Sequence, residues 1–325
     1  MKKVLVAGGG GFIGGWLVKE LLTKGYKVSA VDIKPVSEWH QISPEATNSS
    51  RDLSLLDNCT ESTLGVDEVY NLAADMGGMG FIENNKAACM LTVLINTHLL
   101  MASKVNKISK YFFASSACVY NADKQNKTLV QPLKEEDSYP AMPEDGYGWE
   151  KLFSERMCRH LYEDYGLETR VARYHNIYGP NGTWEGGREK APAALCRKVA
   201  ESKLSGAKSI NVWGDGEQTR SFTYIKDCIE GTLKLMDSDI REPLNIGSSE
   251  MISINELTKI IEQIARVKLD RIHDLSAPKG VRGRNSDNTK ILQLLNWQPR
   301  VSLKEGLKET YQWIEQEVAK KLNAK

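Results

Sequence analysis

The chain has 325 residues, of which 41% are hydrophobic and 26% are charged, so it can bury a substantial core and lacks the composition of a disordered protein. Its 43 Lys and Arg residues nearly balance its 42 Asp and Glu residues, which leaves a formal net charge of +1. A nearly neutral chain has no general attraction for nucleic acid or for an anionic membrane. We therefore expect no nucleic-acid partner, and phosphate groups must be bound by local features of the chain.

The cysteines and the N-terminus indicate the compartment. Six cysteines, at positions 59, 89, 118, 158, 196 and 228, are widely spaced and form no Cys-x-x-Cys pair, which favours reduced thiols in a cytosol. The first residues, MKKVLVAGGG, pass from a short apolar run directly into glycines, which is typical of a buried strand and not of a secretion signal. No apolar stretch approaches the roughly 20 residues that span a bilayer. We expect a cytoplasmic protein with no membrane partner.

The N-terminal segment predicts a strand–helix–strand unit. Residues 3–7 form a continuous apolar run, as in a buried parallel strand. Residues 12–23 carry apolar side chains at helical spacing, and Gly25 ends that helix. Residues 28–31 predict a second strand, which ends at Asp32.

The same alternation continues along the chain, with predicted strands at 68–73, 111–115 and 168–174 and predicted helices at 84–104 and 147–165. It predicts an α/β fold with a doubly wound parallel sheet of the Rossmann type. After Tyr174 a loop at 175–189 is followed by short strands at 209–213 and 221–224 and, near the end, by a helix at 304–320. We predict a Rossmann-type domain over 1–174, to which the chain returns around 221–247. A smaller mixed α/β substrate domain over 175–325 would cover the carboxyl ends of the strands.

Gly8, Gly11 and Gly14 have the spacing Gly-x-x-Gly-x-x-Gly between the first strand and the first helix. In a dinucleotide site such glycines permit a tight turn, let the backbone approach the pyrophosphate and let the helix pack close to the strand. The helix begins at Phe12 and Ile13, where free N–H groups and the positive end of the helix dipole would face the phosphates. A glycine trio alone is a weak signal, but its strand–turn–helix context predicts a dinucleotide site.

Two acidic residues refine the cofactor prediction. Asp32 follows the second strand, where a carboxylate accepts hydrogen bonds from the adenosine ribose and repels a 2′-phosphate. This favours NAD over NADP, while Lys34 nearby leaves some room for NADP. Asp52 is placed to reach the adenine, and the alternative is an acid in a surface loop.

The pattern Tyr-x-x-x-Lys occurs twice, as Tyr120/Lys124 and as Tyr147/Lys151. The first pair lies in a polar loop, where the spacing has no helical meaning. The second pair opens a predicted helix, so its members share one face. A lysine ammonium lowers the pKa of a neighbouring phenol, which can then take a proton from a sugar hydroxyl. We choose Tyr147 and Lys151, with Ser116 holding the hydroxyl.

In chain order, the glycine trio, Asp32, the serine-bearing strand and the Tyr147/Lys151 pair resemble the extended short-chain dehydrogenase/reductase superfamily over nearly the whole length. Its members act mostly on nucleotide sugars. Longer strings narrow the resemblance to the GDP-mannose 3,5-epimerases: AADMGGMG (73–80), SSACVY (115–120), GTWEGGREKAPAA (182–194), WGDGEQTRSFT (213–223) and GVRGRNSDN (280–288).

The resemblance implies an NAD-dependent isomerase that converts GDP-D-mannose into GDP-L-galactose, with GDP-L-gulose as a further possible product. Oxidation at C4 acidifies the protons at C3 and C5, a base and an acid exchange them, and C4 is reduced again. By resemblance the base is Cys118 and the acid is Lys190, with Tyr147 acting at C4. Without the resemblance, Cys118 would be read as a buried inert thiol and Lys190 as a solvated lysine.

The resemblance also implies the positions that bind the nucleotide sugar. Arginine suits the diphosphate because its planar guanidinium binds two oxygens at once. The alternative for Arg220 and Arg284 is a surface salt bridge. The implied positions are Gly77, Ser116, Ala117, Cys118, Asn176, Glu189, Lys190, Ala191, Lys198, Gln218, Thr219, Arg220 and Arg284.

Some features depart from the family or leave alternatives open. Asn121 stands where relatives have proline, and residues 122–131 diverge, which puts the substrate preference and the product ratio in doubt. A 4-epimerase or a 4,6-dehydratase would use Thr, Ser or a carboxylate in place of Cys118 and Lys190, and an epimerase-reductase would consume NADPH. A non-catalytic NAD-binding regulator would need none of these side chains. The histidines show no metal-ligand spacing, so we expect no metal. The family commonly forms homodimers through the helices predicted at 84–104 and 147–165.

Overall fold

The structure, a computed structural model, describes residues 1–323. Its strands and helices alternate through the first half of the chain, as the sequence predicts. The strands are β1 (Lys3–Ala7), β2 (Lys27–Asp32), β3 (Thr47–Ser50), β4 (Glu68–Asn71), β5 (Lys110–Ser116), β6 (Glu168–Tyr174), β7 (Ile177–Tyr178), β8 (Ser209–Trp213), β9 (Thr219–Ser221), β10 (Thr223–Tyr224), β11 (Leu244–Ile246), β12 (Met251–Ser253), β13 (Asp270–Asp274) and β14 (Gly283–Arg284).

The helices flank these strands on both sides of the main sheet and form a separate layer in the second half of the chain. Short 3-10 helices occupy Val36–Glu38, Ala117–Val119, Ala122–Gln125 and Glu135–Ser138. The α-helices are α1 (Phe12–Thr23), α2 (Leu56–Thr63), α3 (Met79–Asn84), α4 (Lys86–Leu91), α5 (Val93–Val105), α6 (Asp145–Tyr165), α7 (Ala191–Ser205), α8 (Ile225–Asp237), α9 (Ile254–Ala265), α10 (Thr289–Leu295) and α11 (Leu303–Asn323).

The main sheet has seven strands in the order β11-β6-β5-β4-β1-β2-β3, and every neighbouring pair is parallel. Because side chains alternate along a strand, each strand supplies both faces. Val4 and Val6 of β1 pack with α1 and α8, whereas Leu5 and Ala7 pack with α2, α5 and α6. The order turns outward in both directions from β1, so the predicted doubly wound parallel sheet is confirmed.

The second half of the chain builds smaller units beside the carboxyl ends of these strands. β8 pairs with β13, and β9 lies between β12 and β14. The helices α7, α9 and α11 pack against one another. One continuous apolar core runs from β1 and α1 to α9 and α11, and β11 adds a strand to the main sheet. The division into 1–174 and 175–325, whose last two residues lie outside the described part, therefore stays a prediction.

The segment predicted as one helix over 84–104 is divided. Asn85 leaves the helical region (φ −133°, ψ 43°) between α3 and α4, and Thr92 separates α4 from α5. The hydroxyl of Thr92 accepts a hydrogen bond from the Asp75 N–H (3.1 Å), so it ties the helices to the loop after β4. The predicted strand at 221–224 is likewise two strands, β9 and β10.

The sequence expectation that no stretch is long and apolar enough to span a bilayer was wrong. Within residues 1–323 one helical stretch, Lys86–Val105, passes that test by length and composition, with a mean hydropathy of 1.4 over its most apolar window. It comprises α4 and α5, and 39% of that window is buried inside the protein.

Candidate active site

The glycine turn after β1 has the shape of a phosphate cradle. Gly8 lies in the left-handed region (φ +82°), and its N–H donates to the Val31 carbonyl (2.7 Å). A Cβ on Gly14 would lie 2.0 Å from the Gly8 carbonyl oxygen, so any side chain there would force α1 away from the turn. Gly11 precedes α1 without a side-chain cap, which leaves the first N–H groups of α1, at Phe12 and Ile13, available to an anion. These residues fit the pyrophosphate of a dinucleotide.

The two predicted cofactor acids lie at the same edge of the sheet. Asp32 ends β2, and Asp52 follows the neighbouring strand β3. The carboxylate of Asp32 accepts from the Lys34 N–H (3.1 Å), while the Lys34 ammonium donates to the Gly10 carbonyl (3.0 Å). Lys34 therefore braces the glycine turn. This arrangement fits an adenosine ribose on Asp32, and the contacts of Asp32 and Asp52 with a cofactor stay predictions.

The Tyr147/Lys151 pair lies in the first two turns of α6, and both side chains are buried. The Lys151 ammonium lies 5.5 Å from the centre of the Tyr147 ring and 3.4 Å from the Glu150 carboxylate. Burial raises the pKa of Tyr147 well above its ordinary value of 10, the charges of Cys118 and Glu150 raise it further, and a hydrogen bond with Ser116 opposes them. The phenol is therefore protonated at neutral pH in the protein alone. The expected lowering by Lys151 does not outweigh burial.

The competing pair does not assemble. Tyr120 is fully buried, and its hydroxyl donates to Asn245. Lys124 points elsewhere and pairs with Asp137 near the surface. The two side chains have different partners, which supports the choice of Tyr147 and Lys151.

One cavity of about 300 Å³ collects most of the predicted substrate positions. It opens beside the carboxyl end of β5 and is closed by the loop before α7 and by the segments around β9 and β14. Thr219 is an exception, because it does not line the cavity and its hydroxyl donates to the Thr128 carbonyl. The predicted residues that line it are Gly77, Ser116, Ala117, Cys118, Tyr147, Asn176, Glu189, Lys190, Ala191, Lys198, Gln218, Arg220 and Arg284.

Cys118 lies in the short 3-10 helix that follows β5, one turn beyond the predicted strand end. The N–H of Cys118 donates to the Ser116 hydroxyl (3.2 Å), so the thiol and the serine are held side by side. Burial raises the pKa of the Cys118 thiol, Glu144 raises it further, and Arg284 opposes both. The guanidinium of Arg284 donates to the sulfur at 3.6 Å.

Lys190 precedes α7 and reaches the same cavity from the second half of the chain. Burial lowers the pKa of its ammonium, and the charge of Cys118 opposes this effect. The loop before it contains Gly186 and Gly187, both with positive φ. The N–H of Gly78 donates to the Arg188 carbonyl (3.0 Å), which fastens this loop to the turn that contains Gly77.

The two arginines are not surface salt-bridge residues. Arg220 is 9% exposed, and its guanidinium donates to the main-chain carbonyls of Thr219, Lys279 and Val281. Burial lowers the pKa of Arg220 to about 10, and Arg284 adds to that effect. Among residues 1–323 Arg220 donates to carbonyl groups and to no carboxylate, so its positive charge is available to an anion. Arg284 differs, because it already pairs with Glu144 (2.6 Å).

The remaining polar residues of the cavity wall are held by neighbours. Glu189 accepts from Arg197 (2.9 Å), and the Lys198 ammonium donates to the Asn211 carbonyl (2.8 Å). Asn176, which has a φ of +44°, donates to the Ser221 carbonyl (2.9 Å). The amide nitrogen of Gln218 donates to Trp213, while its carbonyl oxygen is buried without a partner. That oxygen is available to a donor group of a ligand.

Sequence reasoning missed two residues that contact Arg284 in the cavity wall. Glu144 precedes α6, and Gln125 ends a 3-10 helix in the divergent segment. Both accept hydrogen bonds of 2.6 Å from Arg284. Neither belongs to a recognisable motif; only the three-residue spacing of Glu144 from Tyr147 could have drawn attention to it. Across residues 1–323, no three His, Cys, Asp or Glu side chains cluster as a metal site would require.

Comparison with known proteins places these features in a family. The model of the NAD dependent epimerase/dehydratase family matches residues 4–247. GDP-mannose 3,5-epimerase 1 of Oryza sativa subsp. japonica is 47% identical, over 98% of this chain and 83% of the rice protein. This similarity confirms the family resemblance seen in the sequence and the prediction of an isomerase-type enzyme.

Solved structures confirm the fold. UDP-glucose 4-epimerase of Thermotoga maritima, solved with UDP-glucose, has a TM-score of 0.88 and 26% identity over 97% of this chain and 99% of its own. UDP-glucuronic acid 4-epimerase of Bacillus cereus, solved with UDP-glucuronic acid and NAD, has a TM-score of 0.84 and 26% identity over the same shares, 97% and 99%. With its glycine cradle, its buried tyrosine–lysine pair and these similarities, the chain belongs to the NAD-dependent epimerase/dehydratase family.

Proposed function

We propose that this protein converts GDP-D-mannose into GDP-L-galactose, with GDP-L-gulose as a second product, by transient oxidation at C4 and proton exchange at C3 and C5. The observation that carries the proposal is the meeting of a phenol, a thiol and an ammonium, from Tyr147, Cys118 and Lys190, in one cavity. A simple 4-epimerase needs only the phenol for its proton transfers. The name of the rice relative, 47% identical over nearly the whole chain, supports the choice of GDP-mannose.

The oxidation step assigns a role to the buried pair of α6. Tyr147 takes the proton of the C4 hydroxyl, and Ser116, which lines the same cavity, holds that hydroxyl. NAD, which the glycine cradle would hold, would supply the hydride acceptor. Burial keeps the pKa of Tyr147 high in the protein alone, so the phenol must first release its own proton to solvent. The Lys151 ammonium, 5.5 Å from the ring centre, favours the phenolate that then takes the C4 proton.

The exchange step assigns roles to Cys118 and Lys190. A ketone at C4 acidifies the C3 and C5 protons, because the resulting carbanion is an enolate. Cys118 removes a proton from one face of the ring, and Lys190, from a separate loop, returns one to the other face. Burial raises the pKa of Cys118 and lowers that of Lys190, so the two values move towards each other.

The test is nuclear magnetic resonance of GDP-mannose incubated with the protein in heavy water, without added cofactor. We expect deuterium to enter C3 and C5 together with galactose-configured product, because the hydride returns to C4 and no cofactor is consumed. Exchange at neither carbon while NAD is demonstrably bound would refute the proposed reaction. It would point to another nucleotide sugar or to an NAD-binding regulator.

We also propose that two copies of the chain associate through α4, α5 and α6. These helices pack together and expose apolar side chains on their outer side: Met90, Leu91, Leu94, Met101, Trp149 and Phe153. Several large apolar side chains exposed on packed helices are typical of an interface. Light scattering should give twice the monomer mass of 36.3 kDa, and Leu91→Glu should restore the monomer. A monomeric wild-type protein would refute this assembly.

We propose a cytosolic location for the protein. All six cysteines are free and buried, which suits a reducing compartment. Fractionation of the source cells should place the protein in the soluble cytosolic fraction, and recovery in a secretory or membrane fraction would contradict the proposal.

A further inference from the structure

The candidate base is joined to a buried ion pair that the reaction scheme does not use. The guanidinium of Arg284 donates to the Cys118 sulfur at 3.6 Å, to a Glu144 oxygen at 2.6 Å and to the Gln125 amide oxygen at 2.6 Å. The side chains of Arg284 and Glu144 are 5% and 11% exposed. These hydrogen bonds of Arg284 therefore go to the thiol itself and to two residues beside it.

The main chain fastens the same groups together. The N–H of Glu144 donates to the Cys118 carbonyl (2.9 Å). A Cβ on Gly148 would lie 2.3 Å from that carbonyl oxygen, so the start of α6 sits directly on the Cys118 turn. Arg282 donates its N–H to the Gln125 carbonyl (2.9 Å), which anchors β14 to the divergent segment. The carboxylate, the guanidinium and the thiol thus keep a fixed arrangement.

The charges around the sulfur have opposing effects. Burial raises the pKa of Cys118, the Glu144 carboxylate raises it further and Arg284 lowers it. Arg284 also holds the pKa of Glu144 below its ordinary value in spite of burial, so the carboxylate is charged. The other titratable or charged side chains whose charges interact with that of Cys118 are Tyr147 on α6, Lys190 before α7, Arg220 on β9 and Cys89 on α4.

We propose that Glu144 is a positioning residue for Cys118. The Glu144 carboxylate balances the charge of Arg284, so that the Cys118 thiol stays protonated in the substrate-free enzyme while Arg284 remains bonded to the sulfur. This inference rests on the proposed role of Cys118 as a base. With Arg284 alone beside it, the sulfur would be held as a stabilised thiolate, which is a weaker base towards a C–H bond. With the pair beside it, the thiol must first give its proton to solvent in the cavity, and the thiolate that remains is a stronger base towards the C–H bond.

The experiment measures the alkylation rate of Cys118 by iodoacetamide against pH in the full-length protein, with the modified cysteine identified by mass spectrometry. Glu144→Gln keeps an oxygen that can accept from Arg284 but removes the charge. We expect the midpoint to fall by about one pH unit or more, since a charge within 4–6 Å shifts a pKa by about that much. Alkylation at pH 7 should then rise about threefold, because a tenfold gain in thiolate is partly offset by lower nucleophilicity.

Asp215→Asn is the matched control, because Asp215 pairs with Arg282 (2.8 Å) two residues from Arg284 but away from the thiol. It should leave the midpoint unchanged. An unchanged or raised midpoint in Glu144→Gln would overturn the proposal. So would a shift in Glu144→Ala that is absent in Glu144→Gln, because packing and not charge would then be responsible. The assay uses no substrate, so its outcome is separate from the outcome of the GDP-mannose experiment.

Discussion

Replacement of Gly14 by alanine tests the glycine cradle most directly. The new Cβ would lie 2.0 Å from the Gly8 carbonyl oxygen and 2.8 Å from its carbon. Ordinary contacts between heavy atoms begin at about 3.5 Å. The obstacle is backbone and not a flexible side chain, so either α1 must move away from β1 or the turn must open.

The expected loss of stability follows from two opposing contributions. Overpacking in a tight site costs about 1–3 kcal/mol, and the size of this overlap places it at the upper end. Alanine in a helix interior regains about 1 kcal/mol relative to glycine. The net free energy of unfolding should fall by about 2 kcal/mol. Because the displaced turn is the proposed phosphate site, NAD affinity should fall by about tenfold or more, which corresponds to about 1.4 kcal/mol.

The assay combines thermal unfolding with NAD titration by calorimetry, and Gly15→Ala serves as its control. At Gly15 the added Cβ would lie 2.7 Å from Nε2 and 2.8 Å from Cβ of Gln41, so its closest contacts are with a side chain and not with the glycine turn. This variant also loses some stability through its contact with Gln41, but it leaves the glycine turn in place, so its NAD affinity should stay near that of the wild type. Equal melting temperatures and equal NAD affinities for the two variants would refute the reasoning.

Four further substitutions test the site and the core. Cys118→Ala and Lys190→Ala should each abolish deuterium entry at C3 and C5 while leaving NAD affinity unchanged by calorimetry; a fully active Cys118→Ala enzyme would exclude the proposed base. Asp32→Ala should reduce the preference for NAD over NADP by about tenfold in binding titrations, about 1.4 kcal/mol, because the carboxylate no longer repels a 2′-phosphate. Burial lowers the pKa of His175 to about 3 from 6.5, so the unfolded chain alone takes up this proton between those values. Stability should fall by up to about 1.4 kcal/mol per pH unit as pH drops through that range, and urea titrations of His175→Gln should lack this part of the slope.

The first half of the fold could be predicted closely because local residues mark where its strands and helices begin and end. The strand at 3–7 and the helix at 12–23 have the predicted bounds, since glycines stand on both sides of the helix and the strand is uniformly apolar. The prediction of one continuous helix over 84–104 was wrong. Nothing in the apolar periodicity shows that Asn85 donates its side-chain amide to the Phe81 carbonyl (2.8 Å) and leaves the helical conformation.

The candidate site was predictable where one segment carries the pattern. Tyr147 and Lys151 share a helix, so their spacing alone predicts that they lie on the same side. The surroundings of Arg284 depend instead on contacts with Gln125 and Glu144, which are 159 and 140 residues away in the chain. No local pattern encodes such a meeting. The role of Arg284 as a substrate-binding residue stays a prediction, and within the protein its hydrogen bonds go to the thiol and its neighbours.

The late strand β11 has a consequence for any attempt to isolate the cofactor-binding half. It covers the open side of β6 through parallel pairs such as Asn245 with Arg173, and it arrives in the sheet 70 residues after β6 ends. A fragment that stops at residue 174 would therefore leave the N–H and C=O groups of β6 on a bare edge, a surface on which strands of other molecules assemble. It would also lack α8, which covers apolar side chains of β6 and α1. We therefore expect a fragment cut at residue 174 to lose cofactor binding together with the sugar site, because the edge of its sheet and the cover of its core come from later residues.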